Sequence, residues 1–105
     1  MPSLFSNLPL SSAASEIFDD LLLRPGIRIE RIVSTGQADP PDHWQQQEWD
    51  EWVLLVKGAA GLILDDREIR LEPGDHLLIP AGKPHRVTYT QADPATIWLA
   101  IHLMV

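Results

Sequence analysis

The sequence predicts an all-β domain, a sandwich or barrel of short antiparallel strands with one helix at the front. Two observations carry this. From Ile27 to the end, short apolar runs rich in β-branched residues alternate with Gly/Pro turn signals. The length, 105 residues, allows one domain with one core, so those runs must pack on one another. The expected organisation is a single domain over 1–105, with a helical arm over 1–26 and a β-barrel over 27–105.

The elements follow in chain order. Ser11 or Ser12 can cap a helix running to Leu23, with Ile17, Phe18, Leu21 and Leu22 on one face and Pro25-Gly26 as its stop. Residues 27–33 (IRIERIV) read as a strand. A polar stretch over 34–47, broken by Pro40-Pro41, leads to a second strand over 51–57 (EWVLLVK), closed by Gly58. Residues 60–64 and 68–71 form a hairpin across Asp65-Asp66. A turn over 72–75 precedes a short strand over 76–79, which stops at Pro80-Ala81-Gly82. Strands over 85–90 and 96–103 complete the set.

Composition bounds the function. Apolar residues make up 45% and charged residues 22%, so a packed fold is expected rather than disorder. A net charge of −7 argues against nucleic acid and anionic membrane surfaces as partners. With no cysteine, there is neither a disulfide framework nor a thiolate nucleophile or ligand. No basic, apolar leader opens the sequence, and no stretch reaches the roughly 18 apolar residues of a membrane span. A soluble cytoplasmic protein is the expectation.

Two segments carry chemistry. Residues 74–85 read GDHLLIPAGKPH, placing Gly74, Pro80, Gly82 and His85 in the register G-x5-P-x-G-x2-H. Glu51 and Gly58 stand in the register E-x6-G. Together these resemble the two motifs of the cupin superfamily, and the likeness extends from Gly36 to the end. Two elements of the family pattern depart. The asparagine that ends the second motif is Tyr89, and the His-x-His pair before the glutamate is replaced by Gln45 and Gln47, or by Trp44 and Gln46 at the longer spacing. The run over 49–55 and the ending over 97–102 look like those of short stand-alone bacterial cupins. The resemblance implies a jelly-roll barrel, often dimeric. It also implies a divalent metal held by the His-x-His pair, the glutamate and the second-motif histidine. It names no reaction, because this fold hosts many.

Strand parity puts Glu51, Val53 and Leu55 on one face, and His85, Val87 and Tyr89 on one face of another strand. If both faces point inward, a carboxylate and an imidazole meet in an apolar cavity, a pairing that suits Fe, Mn, Zn, Ni or Co. Gln47 is the expected third ligand, and His102 or His43 the fourth. Each has a plainer reading. His85 would bond a backbone group, Glu51 would form a salt bridge at the barrel mouth, and Gln47 would pack in a loop. His43 would be solvated, and His102 would sit in the core on one hydrogen bond. Trp44 and Trp49 are candidates for a pocket mouth, and Tyr89 and Trp98 for its wall. Trp52 and Trp98 also read as packing residues. His76 and Arg86 are expected at the surface, and Arg31 has a lesser reading as an inward carboxylate clamp.

Three functions compete. One is a cupin holding a divalent metal and a small organic ligand in the barrel interior. The second is a metal-free barrel that binds a small molecule, and the third a structural dimer with a vestigial cavity. No nucleophile or general base can be named. Leu4, Phe5, the helix face and the strand over 27–33 are candidates to cover a homodimer interface.

Overall fold

Residues 11–23, expected as a helix, do not form one. In the computed structural model, which describes all 105 residues, β1 (Ile17–Arg24) turns at Pro25-Gly26 and pairs antiparallel with β2 (Ile27–Ser34). Phe18 lies opposite Ile32, and Arg24 opposite Ile27. The physical reason is the free edge of β2. Its backbone groups need partners, whereas a short isolated helix is marginal in water. A bulge between Asp20 and Leu22 lets the helix-like spacing of the apolar residues coexist with the pairing. No helix is present, so the N-terminal arm over 1–16 is irregular rather than helical.

The other strands fall where the turn signals placed them. They are β3 (Asp50–Lys57), β4 (Ala60–Leu64), β5 (Arg67–Leu71), β6 (His76–Ile79), β7 (His85–Thr90) and β8 (Thr96–Leu103). One sheet has the order β1-β2-β8-β3-β6, and the other β5-β4-β7. Every pairing is antiparallel, as in a jelly roll closed from two packed sheets. No helix is long and apolar enough to cross a membrane.

Turn chemistry sets the register around the core. Asp65 and Asp66 both take positive φ, 53° and 59°, as the two central residues of a tight hairpin turn whose twist matches its strands. Gly58, the last residue of the first motif, has φ of 90°, and a Cβ there would lie 2.6 Å from Thr96 Oγ1 and 2.8 Å from Thr96 Cα. Only glycine fits between β3 and the start of β8. The core lies between the sheets and contains Val53, Leu55, Leu62, Leu64, Leu71, Ile79 and Trp98. Each fully buried Leu or Val contributes about 1.5–3 kcal/mol.

Candidate ligand cavity

Alternation along β3 sends Glu51 inward with Val53 and Leu55, all buried. Glu51 stands at the start of the strand, where the inner face opens from core to cavity. Its Oε1 accepts a hydrogen bond from Gln47 Nε2 at 2.8 Å. Gln47 is held in turn by the second motif, since Gly82 N–H donates to the Gln47 carbonyl at 2.7 Å. The two motifs are thus tied together at the site.

His85 opens β7 and is 3% exposed. Its Nδ1 lies 3.1 Å from the Lys83 carbonyl, which can only accept. Nδ1 therefore donates to that carbonyl, and Nε2 is left with no protein partner. The His85 backbone exchanges two hydrogen bonds with Gln45, at 2.8 and 3.0 Å. Gln45 Nε2 donates to Asp39 Oδ2 at 2.7 Å, which leaves the Gln45 amide oxygen unpaired. Asp39 Oδ2 also accepts the Val87 N–H at 2.8 Å, so the loop is anchored to β7.

These groups meet in one cavity of about 80 Å³. Glu51, His85, Gln45 and Glu16 supply its polar lining, and Phe18, Ile32, Val53, Leu62, Ile79, Val87 and Trp98 its apolar wall. Glu16 is tied to the core by a directed chain. Trp98 Nε1–H donates to Ser34 Oγ at 3.2 Å, and the Ser34 hydroxyl donates to Glu16 Oε2. Burial pushes the Glu16 carboxyl above its ordinary value; the Ser34 hydrogen bond opposes this and the Asp39 charge adds to it.

His102 sits beside Glu51 across the β3–β8 ladder, but it faces another partner. Its Nε2 lies 2.8 Å from Glu30 Oε1, and its Nδ1 accepts the Trp49 indole N–H at 2.9 Å. Both ring nitrogens are engaged. The Glu30 hydrogen bond holds the His102 pKa above the ordinary 6.5, burial works against it, and the Glu51 charge helps. The Trp49 N–H aimed at Nδ1 also works against protonation, because a second proton there would face a donor.

The remaining expected residues scatter. His43 lies in an exposed loop. Trp44 is 46% exposed and carries the Arg86 guanidinium 5.4 Å from its ring centroid. Trp49 serves His102, not the cavity mouth. Trp98 is a cavity wall. Tyr89 is not: the β4–β7 pairing slips between Gly61 and Leu62, so Thr88 is extra and Thr90, not Tyr89, turns inward. A one-residue bulge reverses every later side chain. Tyr89 stacks instead on Arg70, at 5.2 Å. Arg31 is a clamp on the outer face, bonding Asp19 at 2.7 Å and the Leu4 and Ser6 carbonyls. His76 is exposed, as expected, and packs on Trp52.

The donor set does not fit the divalent metal that the resemblance implies. Such an ion needs three or four ligands, with imidazole, carboxylate or thiolate strongly preferred for transition metals. Glu51 and His85 supply two, and no three His, Asp or Glu side chains converge anywhere in the chain. Gln47 turns its amide N–H toward Glu51, and His102 has no free nitrogen.

Two acids, Glu16 in the cavity lining and Glu30 on His102, escape a reading of the sequence. A helix over 11–23 hides Glu16, although its parity with Phe18 along a strand places both on the inner face. Glu30 shares that parity with Ile32, and an acid in a β-branched run is the available signal.

The family model for the cupin domain matches residues 30–102. A crystal structure from Ralstonia eutropha JMP134, of a protein provisionally named a mannose-6-phosphate isomerase, is 43% identical with a TM-score of 0.94. That match covers 100% of this chain and 98% of the other. A cupin superfamily protein from Desulfitobacterium hafniense DCB-2 is 22% identical at a TM-score of 0.81, covering 100% of this chain and 92% of its own. The TT1209 protein of Thermus thermophilus is 18% identical at 0.79, covering 99% and 96%. These last two share the fold. No curated protein matches the chain. With the matched family model, the two motifs and the two-sheet antiparallel barrel in agreement, the chain belongs to the cupin superfamily.

Proposed function

We propose that this cupin binds a small organic molecule inside its barrel, between Glu51 and His85, without a resident metal. The observation that carries the reading is the state of the polar groups lining the cavity. Glu51 Oε2, the Nε2 of His85 and the Gln45 amide oxygen are acceptors left without protein partners, among apolar walls. Unpaired acceptors that line an apolar cavity are sites for a ligand or ordered water. The name of the Ralstonia relative would bring in a sugar phosphate. The lining offers no Lys or Arg to hold a phosphoryl group, and about 80 Å³ is small for a phosphorylated hexose. The test is a thermal-shift screen of small polar organics, run beside elemental analysis of untagged protein. Stabilisation by compounds that Glu51→Ala no longer recognises, with metal below about a tenth of an equivalent, supports the reading. Stoichiometric metal would replace it with the metal-dependent one.

We also propose that a second copy of the chain covers β1. This is an edge strand, and Phe18, Leu21 and Leu23 on it are 59%, 49% and 50% exposed. Phe18 is at the same time a wall of the cavity, so the partner would seal the site. A monomer by light scattering at micromolar concentration would overturn this.

A further inference from the structure

We infer that the ligand of this cavity is a short primary alkylammonium ion, an inference that rests on the binding reading above and narrows its chemistry. The geometry points there through the match of donors to acceptors. A –NH3⁺ group has three donors and no acceptor. The cavity offers the Glu51 carboxylate, the His85 Nε2 lone pair and the Gln45 amide oxygen, and none of these is satisfied by another protein donor except Glu51 Oε1. Glu51 and His85 are each more than nine-tenths buried.

Charge narrows the choice further. The lining contains two acidic side chains, Glu16 and Glu51, and no Lys or Arg. An anion entering there would be desolvated beside like charges, which is unfavourable. A buried cation is stabilised by a carboxylate partner, and the aromatic residues Trp98 and Phe18 belong to the same lining. A neutral alcohol fills the same space but brings one donor for three acceptors. The apolar wall of Val53, Leu62, Ile79 and Val87 suits a short alkyl chain, and the small volume limits its length.

The experiment compares three isosteric probes on the full chain by calorimetry and by NMR of the Trp98 indole N–H: n-butylammonium, n-butanol and butyrate. Butylammonium is expected to bind at least about tenfold more tightly than butanol, the usual size of one charge-assisted hydrogen bond, with no binding of butyrate. Glu51→Gln, with its fold checked by circular dichroism, is expected to lose the preference of amine over alcohol. If butanol binds wild type as tightly as butylammonium, the ammonium inference is wrong while the binding cavity stands. If butyrate binds best, the inference is also wrong. If none of the three shifts Trp98, the inference fails, and the screen of small polar organics decides the binding reading separately. Zn²⁺ that excludes butylammonium at equal concentration would overturn the inference in favour of a metal. Because the wild-type comparison decides the matter alone, a Glu51→Gln variant that fails to fold does not rescue it.

Discussion

Leu55 and Leu62 point into the same barrel and are both sealed from solvent, at 0% and 2% exposure, yet truncating them should cost different amounts. Leu55 packs in the core with no cavity at its side, whereas Leu62 is a wall of the cavity. A Leu→Ala change in a tight core costs about 3–5 kcal/mol, because transfer energy and a new void add together. At Leu62 part of the side chain already faces empty space, so fewer contacts are lost. The existing void grows instead of a new one opening. The cost there should fall near the lower end, about 2–3 kcal/mol. Urea unfolding of the two variants, with slopes equal to wild type, measures both. Leu55→Ala should be the less stable by about 1 kcal/mol or more. In addition, Leu62→Ala should accept a longer alkylammonium than wild type. Equal or reversed costs would mean that Leu62 does not border a real void, and the cavity argument would fall with it.

Other expectations follow from the same geometry. Glu51→Gln keeps an acceptor for Gln47 Nε2 and removes a buried carboxylate that forms no salt bridge, so ligand-free protein should gain about 1 kcal/mol in urea. The raised His102 pKa means that stability from its protonated ring is full below about pH 6.5 and fades as pH rises through the folded-state value. Trp49→Phe removes the donor facing Nδ1, so NMR titration should find the His102 pKa higher still; a lower value would contradict the direction of that hydrogen bond. Glu16, raised by burial, contributes stability that is full below its ordinary 4.5 and is lost as pH rises through its folded-state value. Glu16→Gln should therefore flatten that loss and be relatively more stable at pH 7, as pH-dependent thermal melts would show.

Much of this fold is legible in the residues because β-branched runs and turn residues carry local information. The seven strands from Ile27 onward fall within a residue or two of the bounds that the turn signals predict. The strand before them does not. Ile17, Phe18, Leu21 and Leu22 satisfy helical spacing, and what makes them a strand is pairing with β2, a tertiary contact. The bulge at Thr88 is of the same kind. Nothing in residues 85–90 marks it, yet it decides that Tyr89 leaves the cavity and Thr90 turns inward. At the site, Glu51 and His85 are legible because motif register and strand parity agree, and both line the cavity. Gln45 is recognisable only as occupying a family histidine position. Its place beside His85 comes from a backbone bridge between loop and strand. The His102–Glu30 pair joins residues far apart in sequence, and parity alone does not say which acid His102 meets.

On the proposed reading, the polar groups of the barrel interior receive a hydrogen-bond donor rather than a metal. This can be tested in a high-resolution crystal structure of untagged protein with n-butylammonium, recorded across the transition-metal absorption edges. No anomalous peak is expected between Glu51 and His85. An ammonium nitrogen is expected within hydrogen-bond distance of Glu51, His85 Nε2 and the Gln45 amide oxygen, with the alkyl chain along Val53 and Leu62. An anomalous peak bonded to both Glu51 and His85, present at full occupancy without added metal, would contradict this arrangement.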